Sequence, residues 1–273
     1  MDGILIAGGV APPELAKVAG DSRKGLFVFE GQPLVQRVIR VLRASGVGRI
    51  ALVGSELLLA HMQEDPNQLL FVPEGSEPVE NLLRGVERLD LPDEARFLHC
   101  AVDLPMLTVH ALCDWLGAIP DESDVAVAFV PDTVFAQHFP GAPYHAVRFC
   151  EGAFLNASMS VMRVRFLKSQ AHHLQQLARV RKSLPRFTLC LASWLGFRLL
   201  TVGIPALARF LTRRLALWEL PTLAQRAFGI RLHVYPHAMP ELAYDIDTVE
   251  DYRYAQAWLR AHTAPQRKGD GTP

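Results

Sequence analysis

The sequence predicts an α/β fold: a mainly parallel, doubly wound mixed sheet flanked by helices. Three observations carry that prediction. Apolar, strand-like runs alternate with amphipathic helical stretches over the first 119 residues. Two of those runs end in features suited to a ligand edge, Gly8-Gly9 after the first and Asp103 after the fourth. Half of the 273 residues are hydrophobic, enough for a sizeable core.

The elements follow in order. "GILIAGG" reads as a buried strand stopped by two glycines. A stretch of mixed character leads to Arg23-Lys24, and "GLFVFEG" is strand-like up to a turn at Gly31. "PLVQRVIRVLRASGVG" sets Leu34, Val35, Val38, Ile39, Val41 and Leu42 along a helix that opens at Pro33 and stops at Gly46. "RIALVG" is a second strand, "LLFVPEG" a third, and "EPVENLLRGVERL" a second helix. "RFLHCAVD" is a fourth strand ending at Asp103. "TVHALCDWLGAI" is the next helix, with Thr108 as its N-cap.

The texture then changes. "DVAVAFVP" is another strand, and "YHAVRFCEG" with "AFLNASMSVMRV" reads as a hairpin about a short "EG" turn. Residues 165–228 are helical in pattern and rich in Leu and Arg, a helical insertion before the last strand, and "RLHVYPH" returns to strand. "PELAYDIDTVEDYRYAQAWLRAH" predicts a short strand and then a helix opened by Thr248, with Asp251 completing a capping box. Residues 1–262 form a single domain in this reading, and 263–273 a disordered tail.

Composition removes several function classes. Lys plus Arg and Asp plus Glu both total 28, so the formal net charge is zero. No global electrostatic case exists for a nucleic-acid or anionic-membrane partner. Cys100, Cys113, Cys150 and Cys190 form no CxxC pair and read as buried free thiols of a cytoplasmic protein. The apolar stretch 187–207 is long enough to span a bilayer. Gly196, Arg198, Gly203 and Pro205 interrupt it, which favours packed helices without stable membrane insertion. His172-His173 is the one adjacent histidine pair, and it reads as a solvated helix face rather than a metal site.

Four features carry chemistry. Val10, Ala11, Pro12 and Pro13 follow Gly8-Gly9, so neither a GxGxxG dinucleotide turn nor a P-loop is present. The glycines can still offer backbone amides to a phosphate, and Lys24 can swing over it with a flexible ammonium. Asp103, at a strand's carboxyl end and before Leu104-Pro105, is well placed to hold Mg²⁺, which takes one or two protein carboxylates beside phosphate oxygens. Asp245 and Asp247 alternate across a short strand with Ile246 opposite, and two like charges side by side call for a cation.

"LIAGG", "RKGLFVFEGQPLVQRVIRVL", "GSEPVENLLRGVE", "CAVDLPMLT" and "AYDIDTVEDY", in that order, resemble the nucleotidyltransferases related to molybdenum cofactor guanylyltransferase, the MobA-like family. The resemblance covers Ile4 to about Leu116 and Leu242 to Leu259. It implies a Rossmann-like sheet and Mg²⁺-dependent transfer of a nucleoside monophosphate from an NTP to a phosphorylated acceptor. It also implies that Ala7, Gly8 and Gly9 wrap the nucleotide, that Lys24 contacts its phosphates, and that Asp103 with Asp247 and Asp245 holds the metal. Ser76 and Asn81, near the start of the second helix, lie by the base and ribose in this reading.

The chain departs from the family where Gly-x-Arg normally follows the glycines; Val10-Ala11-Pro12 stands there, and Arg23 is the candidate substitute. That departure supports an alternative, a catalytically degenerate nucleotide-binding regulatory protein. The 165–228 block resembles a subgroup with a C-terminal helical insertion, and supplies the acceptor side or a homo-oligomer surface.

Overall fold

Side-chain alternation along the first strand sets the layering. In the computed structural model, which describes residues 1–61, 67–180, 194–196 and 198–263, β1 (Asp2–Ile6) buries Ile4 and Leu5 in different core clusters on its two faces. β1 pairs in parallel with β4 (Ile50–Gly54) on one side and β6 (Arg96–Ala101) on the other. Among the described residues the sheet has eight strands. Its order is β10 (Leu232–Tyr235), β7 (Val125–Pro131), β9 (Gly152–Arg163), β6, β1, β4, β5 (Leu69–Pro73), with β8 (Val147–Phe149) on β9. β9 runs antiparallel to β6, β7 and β8, and the other pairings in this sheet are parallel. β2 (Val28–Phe29) and β3 (Gln32–Pro33) form a separate small hairpin.

The chain moves from β1 to β4 and β5 on one side, then crosses back to β6 on the other. The switch in strand order therefore falls between β1 and β6, where a doubly wound sheet opens its ligand crevice. Helices α2 (Leu34–Ala44), α4 (Val109–Gly117) and α9 (Val249–Thr263) cover the Leu5 face. α3 (Pro78–Arg88) and α6 (Val164–Val180) cover the Ile4 face. The apolar stripe read along α2 is the buried one, except that Val41 is half-buried. Thr108 caps α4 by accepting the Ala111 amide at 3.2 Å.

Three readings need correction. The mixed stretch after Gly9 contains a helix, α1 (Pro13–Ala19), and "DTVFAQH" forms α5 (Asp132–His138). Each buries one residue, Leu15 or Phe135, so no apolar periodicity announces it. No strand forms at 243–247; the segment meets the sheet edge through the Ile246 amide, 3.1 Å from the Asp103 carbonyl. Among the described cysteines only Cys100 is buried; Cys113 and Cys150 are exposed free thiols, on the outer side of α4 and in the β8–β9 turn.

The 165–228 block contributes most of α6, a π-helical turn (Leu199–Gly203), α7 (Ile204–Leu211) and α8 (Leu220–Phe228). Leu215 and Leu217 pack with Phe129, Phe149 and Phe154. Of the pair on α6, His172 is exposed, whereas His173 stacks on Trp194 at 4.9 Å and is half-buried rather than solvated. Among the described residues no helix is long and apolar enough to cross a membrane. Residues 187–193 and 197 of the apolar stretch, Cys190, and the tail from residue 264 lie outside the described residues.

Candidate functional site

The carboxyl ends of β1 and β6 meet at a cavity of about 250 Å³, lined by Ile6, Gly8, Gly9, Lys24, Val102 and Asp103. Ala7 itself is buried, and its amide donates to the Val53 carbonyl at 2.8 Å, extending the strand pairing to the loop. Gly9 has φ of 90°, a left-handed conformation that favours glycine. A Cβ on Gly8 would strike the Glu74 carboxylate. The backbone conformation thus favours glycine at position 9, whereas the contact at Gly8 is with the movable end of the Glu74 side chain.

Lys24 begins a 3-10 turn (Lys24–Leu26) that aims its side chain back across the crevice. Its Nζ donates to Asp103 Oδ2 at 2.8 Å and to Asp247 Oδ1 at 2.7 Å. Burial alone pulls the ammonium pKa down, but the charges and hydrogen bonds of Asp103 and Asp247 outweigh it, and the net shift is upward. Asp247 is presented by the cap of α9. Asp251 Oδ2 accepts the Asp247 amide at 3.0 Å and the Thr248 amide at 2.7 Å, while Thr248 Oγ1 accepts the Asp251 amide at 3.2 Å. This is the capping box read from "TVED".

Asp245 lies deeper. Its Oδ2 accepts the Ser158 hydroxyl at 3.1 Å, and burial, reinforced by the charges of Asp103 and Asp247, pushes its pKa up to about 6. Asp245 and Asp247 both line a second cavity, of about 300 Å³, with Tyr144, His145, Asn156 and Tyr244 also on its walls.

The metal expectation can be tested against these groups. Among the described residues no cluster of three or more His, Cys, Asp or Glu side chains is arranged to hold a metal. What converges is a pair, Asp103 and Asp247, with Lys24 between them. The donors are hard carboxylate oxygens, and Asp103 Oδ1 is buried without a hydrogen-bond partner among the described residues. Two carboxylates, one of them with an unsatisfied oxygen, fit Mg²⁺, which keeps most of its shell for water and phosphate.

Ser76 is exposed on the loop between β5 and α3. Asn81 is buried in the first turn of α3, and its Oδ1 accepts the Gly75 amide at 2.6 Å. Asn81 therefore shapes the loop that carries Ser76.

Three positions gain weight. Arg23, the candidate substitute for the missing arginine, does stand beside the glycine loop, its Nη1 2.5 Å from Glu74 Oε1 and 3.4 Å from the Gly9 carbonyl. Glu74 was not singled out in the sequence, although it follows the third strand on the same edge as Asp103. Ser158, under Asp245, had no local signal at all: it is one of the alternating small residues of β9.

No curated protein matches the chain. A hypothetical transferase from Thermus thermophilus is 26% identical, with a TM-score of 0.72 over 92% of this chain and 99% of that one. A CMP:2-keto-3-deoxy-manno-octonic acid synthetase in complex with CTP shares the fold, at TM-score 0.58 and 14% identity, over 96% of this chain and 99% of that one. So does a nucleotidyl transferase from a Methanothermobacter, at TM-score 0.54 and 13% identity, over 96% and 98%. The family model described as a MobA-like NTP transferase domain matches residues 3–262, and the chain belongs to that family.

Proposed function

We propose that the protein is a Mg²⁺-dependent nucleotidyltransferase that moves a nucleoside monophosphate from an NTP to a phosphorylated small-molecule acceptor. The observation that carries this reading is the convergence of the Gly8-Gly9 loop, Lys24 and Asp103 on one cavity at the strand-order switch, with Asp247 joined to it through Lys24.

The chemistry asks little of the side chains beyond charge and position. An acceptor phosphate oxygen, already ionised, attacks the α-phosphorus. The bond from that phosphorus to the α–β bridging oxygen breaks, and pyrophosphate leaves. No general base is needed, which agrees with the lack of a Ser-His-Asp or Cys-His arrangement in the sequence. The Gly8-Gly9 amides hold the β-phosphate, and Lys24 screens charge that builds on the transferred group. Held by Asp103 and Asp247, Mg²⁺ would supply neutralisation of the phosphate oxygens. Ser76 lies toward the base and ribose, with Asn81 holding its loop. The neighbouring cavity that carries Tyr144, His145 and Asn156 receives the body of the acceptor. Free cysteines support a cytoplasmic setting. Exposed Leu200, Ile204, Leu211 and Trp218 on the 165–228 block support a homo-oligomer surface there.

One observation favours a second reading. The Gly9 amide is engaged by Glu74, and the Gly-x-Arg of the family is replaced, which suits a nucleotide-binding regulatory protein without turnover. The deciding experiment supplies Mg²⁺ and each of the four NTPs with a panel of phosphorylated acceptors and follows pyrophosphate. Release with one acceptor supports the enzyme. Nucleotide-dependent thermal stabilisation without pyrophosphate from any acceptor supports the regulator.

A further inference from the structure

Glu74 sits on the glycine loop itself. Its backbone amide is anchored to the Gly54 carbonyl at 3.0 Å, just past the end of β5, and its side chain reaches across β4 to the loop after β1. There Oε2 accepts the Gly9 amide at 2.9 Å, and Oε1 takes Arg23 Nη1 at 2.5 Å. Oε2 is also the atom nearest to any Cβ placed on Gly8. The two side chains are only 21% and 23% exposed, so this is a seated contact rather than a loose surface pair.

A backbone amide in a glycine turn and a guanidinium are the donors that phosphate oxygens take. A carboxylate presents two anionic oxygens to them, much as one edge of a phosphate does. An arriving phosphate and the Glu74 carboxylate cannot both take the single Gly9 N–H, and beside the same guanidinium their like charges repel. The anchored backbone means that a side-chain rotation is enough to vacate the position.

We propose that Glu74 is an internal placeholder for a nucleotide phosphate, holding the Gly9 amide and Arg23 in position until a triphosphate displaces it. The inference rests on the nucleotidyltransferase reading, and it assigns Arg23 as the second phosphate-binding cation beside Lys24. It contrasts with a purely bracing role, in which Glu74 keeps the loop in shape and its loss weakens binding.

Calorimetric titration separates the two. Wild type, Glu74→Gln and Glu74→Ala are each titrated with tripolyphosphate and with the four Mg²⁺–ribonucleoside triphosphates, with unfolding midpoints recorded alongside. The placeholder predicts that both variants bind tripolyphosphate, and every triphosphate that binds wild type, about five- to tenfold tighter, the scale of one partly exposed ion pair and amide contact removed from competition. Adding Arg23→Met to Glu74→Gln should abolish the gain. Equal or weaker tripolyphosphate binding by Glu74→Gln overturns the inference while leaving the enzyme reading in place. So does a gain confined to one base, which would make Glu74 a base contact. If no triphosphate binds wild type or either variant, the nucleotidyltransferase reading falls first and takes this inference with it.

Discussion

Lys24 and Asp247 stand 223 positions apart in the chain and meet at 2.7 Å. The same ammonium is 2.8 Å from Asp103, so one lysine from the first loop joins the end of β6 to the cap of α9. It compensates two of the three aspartates gathered at this edge, Asp103, Asp245 and Asp247. In the proposed reaction a triphosphate would compete with those aspartates for it.

Replacement of Lys24 should therefore act on turnover. Lys24→Ala is expected to lower the pyrophosphate-release rate by about two to three orders of magnitude, the usual scale for one lost charge-stabilising donor. A loss smaller than tenfold under saturating nucleotide would remove Lys24 from the reacting centre.

Asp103→Ala should abolish turnover while leaving the fold intact, since the side chain lies at a strand end and Oδ1 has no hydrogen-bond partner among the described residues. Circular dichroism and an unfolding curve establish the fold, and pyrophosphate release reads the activity. Chelation of divalent cations should stop wild-type turnover, and Mg²⁺ should restore it. Undiminished release from Asp103→Ala would sink the metal assignment.

Asp245 makes stability depend on pH in a defined direction. Its folded pKa, about 6, lies above the ordinary carboxylate value because burial and the neighbouring acids disfavour the anion. Below about pH 4 both folded and unfolded chains hold the proton, and Asp245 carries no penalty from this source. Between about pH 4 and 6 the unfolded chain ionises first, so stability falls as pH rises; above the folded pKa the loss is complete. Asp245→Asn should then be more stable than wild type at pH 7.5, by on the order of 2 kcal/mol, and should lose that advantage at pH 3.5. Urea unfolding of both proteins at the two pH values checks it; a difference independent of pH would contradict the assignment.

Asp251 links stability to the site. It is buried, and its Oδ2 accepts two backbone amides, of Asp247 and Thr248, and the Thr248 hydroxyl. Asp251→Ala should destabilise the protein by about 2 kcal/mol through the lost cap and the unsatisfied amides. It should also reduce turnover at temperatures where the variant is fully folded, because the Asp247 backbone is no longer held. Activity equal to wild type in the folded variant would show that Asp247 needs no such support.

Much of the scaffold was legible because it rests on local rules. The α2 stripe, the Thr108 cap, the β8–β9 hairpin and the Thr248–Asp251 box each depend on residues a few positions apart. α1 and α5 were not legible, since a seven-residue helix with one buried side chain leaves no period to read. Segment 243–247 alternates like a strand, yet it crosses the carboxyl edge, where Asp103 supplies it with a carbonyl rather than a ladder.

The sequence by itself determined the alternating α/β pattern, the glycine turn, and the strand-end acids, because apolar periodicity and turn chemistry act within a few residues. Only the tertiary structure decided which of the polar groups meet. That Lys24 bridges Asp103 and Asp247, that Ser158 supports Asp245, and that Glu74 with Arg23 closes on Gly9 all depend on the strand order β9-β6-β1-β4-β5. Strand order brings distant loops to one edge, and no local pattern encodes it, since the partners of each charge arrive from other strands.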